Sequence, residues 1–190
     1  MDICATSDGG AALVVSSLEF ARKIGRADAV KVAAVSTVTP TYASSVIEMP
    51  DIATDSAAVV AAHSFRAALP VKAYEEAGIG PADVDVAEVY DLSTALELDW
   101  MEDLQLCERG QAAQLVRAGD TRVGGRLPIN PSGGLACFGE AVPAQAIAQV
   151  CELTWQLRGD AGARQVAGAR VGITANQGLF GHGSSVILKR

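Results

Sequence analysis

Histidine and aromatic side chains are scarce in this chain, with two histidines and 5% aromatics among 190 residues. Imidazole is the commonest transition-metal ligand, so two of them argue against a metal enzyme. Four cysteines stand at 4, 107, 137 and 151 with no CxxC pair. That spacing suits neither a zinc site nor a disulfide framework and points to a reduced, cytoplasmic setting. No Lys/Arg stripe occurs, and the net charge is −7. A nucleic-acid partner, which needs clustered cations against phosphate, is therefore not expected. No apolar run reaches the roughly 18–20 residues that span a bilayer, so no membrane span is expected. The opening Met1-Asp2-Ile3 shows no positively charged leader pattern.

What is present is alanine, glycine and short apolar runs. Hydrophobic residues make up 49% of the chain and charged ones 19%, values that suit one globular domain with a core built by close backbone packing. Ala11 to Val15, bounded by Gly10 and Ser16, reads as a buried strand. Leu18 to Ile24 reads as a short helix stopped by Gly25, and Ala29 to Val38 as a second strand. After a loop over 39–54, Asp55 is a candidate cap for a helix over 56–77 that Pro70 should kink. Val84 to Tyr90 reads as a strand, Ser93 to Leu106 as a helix, and 108–134 as Gly/Arg-rich loop. Ala146, Val150, Leu153 and Leu157 recur at spacings of three and four, which predicts a long helix over 140–157 with those residues inward. Strands over 170–174 and 185–188, around a Gly-rich turn at 178–183, close the chain. This alternation implies an α/β fold with helices on both faces of a mixed, five-stranded sheet.

Four segments then stand out in order: Ser7-Asp8-Gly9-Gly10-Ala11-Ala12, Glu88-Val89-Tyr90-Asp91, Asn130-Pro131-Ser132-Gly133-Gly134, and Asn176-Gln177-Gly178-Leu179-Phe180-Gly181. Together they resemble the C-terminal half of the thiolase superfamily. The stretches Tyr74 to Asp85 and Glu152 to Gly159 point to its sterol-carrier-protein thiolase, or lipid-transfer protein, branch. The resemblance implies a thiolase-like C-terminal domain over 29–190, with 1–28 as the last strand and helix of a missing amino-terminal half. It implies acyl-CoA held between two halves, with a coenzyme A thioester as ligand or substrate and no other cofactor. Its partners would be an acyl-CoA or lipid ligand, and either further copies of the chain or a partner chain supplying the missing half.

Departures from the family pattern carry as much information. Tyr90 stands where thiolases have an oxyanion-hole Asn or His, Glu140 where they have the His of Gly-His-Pro, and Ala175 where they have a second active-site Cys. The resemblance implies an acyltransferase, but thiolysis needs a thiolate, a base and oxyanion donors, and that Cys/His/Cys set is absent. Two readings stay open. In the first, Tyr90, Glu140 and His182 perform a retro-aldol or altered acyl-transfer reaction, with the phenol acting as a general acid and the carboxylate, in the first turn of the long helix, as a base. Gly133, Gly134, Gly178 and Gly181 would then let backbone N–H groups approach the thioester. In the second, the site is degenerate and the chain is a CoA-ester-binding or scaffolding module, with Tyr90 packing at a sheet end and His182 on a surface turn. Asp91 would cap the following helix, Cys4, Cys137 and Cys151 would be inert, and His63 would be structural.

Overall fold

The computed structural model describes residues 2–39, 65–178 and 182–190. The predicted cap Asp55, His63 and Gly181 lie outside these residues. The α-helices are α1 (Leu18–Lys23), α2 (Phe65–Ala77), α3 (Thr94–Asp103), α4 (Ala112–Ala118), α5 (Gly134–Phe138) and α6 (Ala144–Arg158). The strands are β1 (Lys31–Val38), β2 (Val86–Val89), β3 (Val171–Gln177) and β4 (Gly183–Lys189). They form one mixed sheet in the order β1-β4-β3-β2, in which β2 and β3 run parallel and the other pairs antiparallel.

The sheet therefore has four strands among the described residues, not five. Ala11 to Val15 joins no ladder. It runs beside α6 instead, with the Cys151 thiol 3.6 Å from the Ala12 carbonyl, and leaves Val14 and Val15 in solvent. An apolar run becomes a strand only where a neighbour takes its backbone bonds, and among the described residues no strand does so here.

Side-chain alternation along the strands separates two cores. Ala87, Val89, Ile173 and Ile187 face α2 and α3, where Leu69, Ala73, Tyr74, Trp100, Met101 and Leu104 are buried. Val86 and Leu188 face α6, where Leu153 and Leu157 pack. The helix crosses the sheet closely at Gly172, where a Cβ would lie 3.1 Å from a Leu153 methyl. Pro70 sits inside α2, and Ser93 caps α3 by accepting the Leu96 N–H at 3.3 Å.

Two other expectations change. The 108–134 stretch is not simply loop: Ala112–Ala118 is helical and is closed by Gly119 in the left-handed conformation. The long helix begins at Ala144 rather than Glu140, because Pro143 stands at its cap and the Glu140 backbone is engaged elsewhere. Its buried side is also more polar than predicted. Gln145, Gln149, Glu152 and Gln156 are buried alongside Leu153 and Leu157, whereas Ala146 and Val150 are only partly covered. No described helix is long and apolar enough to cross a membrane.

Candidate functional site

Three chain segments meet at the carboxyl end of β2. Tyr90 follows the strand, and its N–H donates to the Ala175 carbonyl at 2.9 Å on neighbouring β3. The stretch 139–142 leads into α6. The amino-terminal stretch 2–7 stitches these together: Cys4 N–H donates to the Leu92 carbonyl at 2.9 Å, Glu140 N–H to the Ala5 carbonyl at 2.7 Å, and Ser7 N–H to the Glu140 carbonyl at 3.0 Å. Glu140 is thus held as a strand-like bridge to Thr6, outside the first helical turn in which the sequence placed it.

This geometry brings Tyr90 and Glu140 together. The Tyr90 hydroxyl donates a hydrogen bond to Glu140 Oε1, and the ring is buried. Burial raises the pKa of the phenol above its ordinary value, and the Glu140 carboxylate reinforces the shift. Tyr90 is accordingly a protonated donor at neutral pH. Cys4, expected only to pack, lies beside the pair. Its thiol is pushed up first by burial and then by the Glu140 and Asp91 carboxylates, so it is a poor nucleophile.

The turn 128–134 is laced to β2 residue by residue. Asn130 N–H donates to the Ala87 carbonyl at 2.8 Å, and Asn130 Oδ1 accepts the Val89 N–H at 2.7 Å. Glu88 accepts the Ser132 N–H at 3.0 Å and lies 2.7 Å from the Ser132 hydroxyl. Asp91 accepts the Leu135 N–H at 2.8 Å, so it caps α5 and not the helix that follows it, a role Ser93 fills. Gly134 is required here: its φ is +60°, and a Cβ would fall 2.1 Å from Asp91 Oδ2. Gly133 has a φ of +93°, and a Cβ there would lie 2.6 Å from Cys137 Sγ. Both glycines serve the turn's own packing. Cys137 is exposed rather than buried.

His182 is exposed and lies on the turn between β3 and β4, where its carbonyl accepts the Gly178 N–H at 2.7 Å. No described contact joins its ring to Tyr90 or Glu140. A small cavity of about 180 Å³ opens next to the pair, bounded by Cys4, Asp91, Thr94 and Glu97. Burial pushes Glu97 up to about 7, with Asp91 adding to the shift. Reasoning from sequence missed Cys4, Glu88 and Asn130. For Glu88 there was a signal: one carboxyl inside Val86-Ala87-Glu88-Val89, a run with every residue buried.

The thiolase C-terminal domain-like family model matches residues 39–190. The chain is 42% identical over 183 residues to sterol carrier protein 2 of Rattus norvegicus, covering 95% of this chain and 32% of that protein. It is 36% identical over 195 residues to an acetyl-CoA acetyltransferase of Methanothermobacter thermautotrophicus, covering 98% of this chain and 46% of the relative. The chain thus spans about a third to a half of the length of these relatives. Among solved structures, an Ltp2-ChsH2(DUF35) aldolase superposes with a TM-score of 0.58 at 29% identity, over 65% of this chain and 31% of the other.

Proposed function

Because the chain belongs to the thiolase C-terminal domain-like family, we propose that it is an acyl-CoA or lipid-handling protein of the lipid-transfer type that does not perform thiolysis. It supplies one wall of a site completed by another thiolase-like portion or a partner chain. The free cysteines fit work in a reducing compartment such as the cytoplasm.

A second reading is favoured by one observation, the Tyr90–Glu140 hydrogen bond. A phenol bonded to a carboxylate is a proton relay, and it suits a retro-aldol step on a β-hydroxyacyl-CoA. The substrate hydroxyl gives its proton to Tyr90 Oη as the tyrosine proton passes to Glu140. The O–H electrons form the new carbonyl, and the Cα–Cβ bond breaks towards the thioester. The resulting enolate takes that proton back from Glu140 through Tyr90 and leaves as a shortened acyl-CoA beside a ketone or aldehyde. The likeness to the Ltp2-ChsH2(DUF35) aldolase agrees with this reading.

The test supplies the chain together with a complementary thiolase-like chain and measures two reactions. Acetoacetyl-CoA plus CoA should give background thioester cleavage only, and rapid thiolysis would sink the main reading. Cleavage of a β-hydroxyacyl-CoA should fall about 10²–10⁴-fold in Tyr90→Phe and in Glu140→Gln, the usual worth of a proton-transfer group. If neither substitution changes cleavage or acyl-CoA binding, the pair is structural and the scaffold reading stands.

A further inference from the structure

The stretch 2–7 runs between the start of α3 and the approach to α6, and it is anchored at both. At α3, Thr94 N–H donates to the Asp2 carbonyl at 3.1 Å, Asp2 N–H to Thr94 Oγ1 at 3.3 Å, and Cys4 N–H to the Leu92 carbonyl. At the other end, Ala5 and Ser7 take the N–H and the carbonyl of Glu140. One short length of chain thus ties together the backbones that carry Tyr90 and Glu140. Next to the second anchor is a residue with no room for a side chain. Gly139 is buried, with a φ of +76°. A Cβ on it would lie 2.7 Å from Ser7 Cβ, 2.8 Å from Ser7 Oγ and 2.8 Å from the Ala5 carbonyl oxygen. Carbon atoms in contact pack at about 3.5–4.0 Å, so a methyl here would force the stretch away. Gly9 comes nearly as close on the far side of Glu140, where its Cβ would lie 3.1 Å from Ala141 Cβ.

We propose that Gly139 is a positioning residue: the space it leaves lets the 2–7 stretch close on Glu140 and hold the carboxylate at the Tyr90 hydroxyl. Gly139 also ends α5, its N–H donating to the Leu135 carbonyl at 2.7 Å, a duty that helix-end glycines commonly perform. That duty does not require its closeness to Ala5 and Ser7. The stretch is the part that would yield to a side chain. Asp2, Ile3, Ala5 and Thr6 are exposed, and no residue of 2–7 belongs to the sheet. A substitution at Gly139 should therefore separate the two side chains while the cores on both faces of the sheet stay intact. Only the chemical consequence rests on the retro-aldol reading, in which a proton acceptor already in place before reaction lowers the barrier.

The Tyr90 ring reports the contact directly. In magnetic resonance with tyrosine isotopically labelled at Cζ, the chain has three tyrosines, and Tyr90→Phe identifies the signal that matters. Glu140→Ala gives the position of that signal once the carboxylate is gone. Gly139→Ala should move it to the same position. Ser7→Pro removes the N–H that holds the Glu140 carbonyl, without touching α5, and should do likewise. Adding Ser7→Gly to Gly139→Ala deletes the Ser7 atoms that the methyl meets and should return the signal part of the way. A defect confined to the end of α5 would not respond to position 7. In the assembly with a complementary thiolase-like chain, Gly139→Ala should lower kcat for β-hydroxyacyl-CoA cleavage about 10²-fold, the cost of a misplacement of about 1 Å, with KM little changed. An unmoved signal in Gly139→Ala would overturn the proposal, as would one in Ser7→Pro if Gly139→Ala does not fold. No recovery with Ser7→Gly would also overturn it, and so would the failure of both single variants to fold, which would make the stretch part of the domain's frame. A moved signal alongside an unsubstituted assembly that cleaves no β-hydroxyacyl-CoA would uphold the positioning and sink the retro-aldol reading alone.

Discussion

On the face covered by α2 and α3 the sheet meets Leu69, Trp100, Met101 and Leu104, whereas on the face covered by α6 it meets Gln149, Glu152 and Gln156 as well as Leu153 and Leu157. The first face is held by apolar area, which tolerates any filling of similar volume. The second depends on individual bonds: Glu152 to Arg164 and Gln156, Gln156 to Gln165 and the Val166 N–H, Gln149 to Asn176, and Glu88 to Ser132. Such a face is specified residue by residue. It also holds Ser132 of the 128–134 turn and Asn176 near the end of β3. The difference implies that the α2/α3 face makes the domain stable, while the α6 face determines how the site segments are held.

The strongest way to break this contrast is on the apolar side. Trp100 has no exposed surface, and Arg66 lies 5.4 Å over its ring. Trp100→Ala should cost about 3–5 kcal/mol by cavity formation, read as a lower midpoint in urea. A loss no larger than that of surface variants would refute the division of labour.

On the α6 face, the next effect is a pH dependence. Glu88 is pushed up from 4.5 to about 8, chiefly by burial. A carboxyl with a raised folded pKa binds more protons when folded than when unfolded. Its contribution is therefore complete below about pH 4.5 and is lost as pH rises to about 8. Glu88→Gln keeps an acceptor for Ser132 and removes the titration. The variant should accordingly gain on the wild type by on the order of a few kcal/mol between pH 5 and 8. Parallel stability curves over that window would show that Glu88 is already ionised in the fold.

A smaller effect is expected at the ion pair. Arg164→Met leaves the Glu152 carboxylate 3% exposed, with Gln156 as its remaining side-chain donor. Arg164 itself is 45% exposed, so solvent screens the pair, and the loss should be about 1–3 kcal/mol. Glu152→Gln combined with Arg164→Met should recover part of it, and a double-mutant cycle with no coupling would remove the pair from the account.

Much of this contrast could be read from the chain, but only on one side. Strand β2 and the helix around Trp100 follow from short apolar runs, although the cap of α3 was expected at Asp91 and is Ser93. On the other side, the apolar spacing of Ala146, Val150, Leu153 and Leu157 drew attention from an equally regular stripe, Gln145, Gln149, Glu152 and Gln156. Periodicity tells that a helix has faces; it does not tell which face turns inward when the partner surface offers Glu88, Thr174 and Asn176. The Tyr90–Glu140 meeting was expected from the family pattern. The reason Glu140 reaches Tyr90 was not, because it depends on backbone bonds to Ala5 and Ser7 more than 130 residues away in sequence.

The least perturbing test concerns the stretch before β1, which obeys neither face's rule. Leu13, Val14, Val15, Phe20 and Ile24 are 41%, 101%, 77%, 52% and 55% exposed. They contribute little to the domain's own stability, so Val14→Asp should shift its unfolding free energy by no more than about 0.5 kcal/mol. Clustered apolar side chains in solvent are nonetheless a surface that another chain can cover. The effect of Val14→Asp should therefore appear in association and not in folding. Light scattering across micromolar concentrations should find the unsubstituted chain self-associating, or retaining a complementary thiolase-like chain, and the variant doing so less. A monodisperse monomer that ignores such a chain would mean that these side chains are merely exposed. A large loss of folding stability in the variant would mean instead that the segment belongs to the domain's own core, and the contrast between covered and uncovered apolar residues would fail.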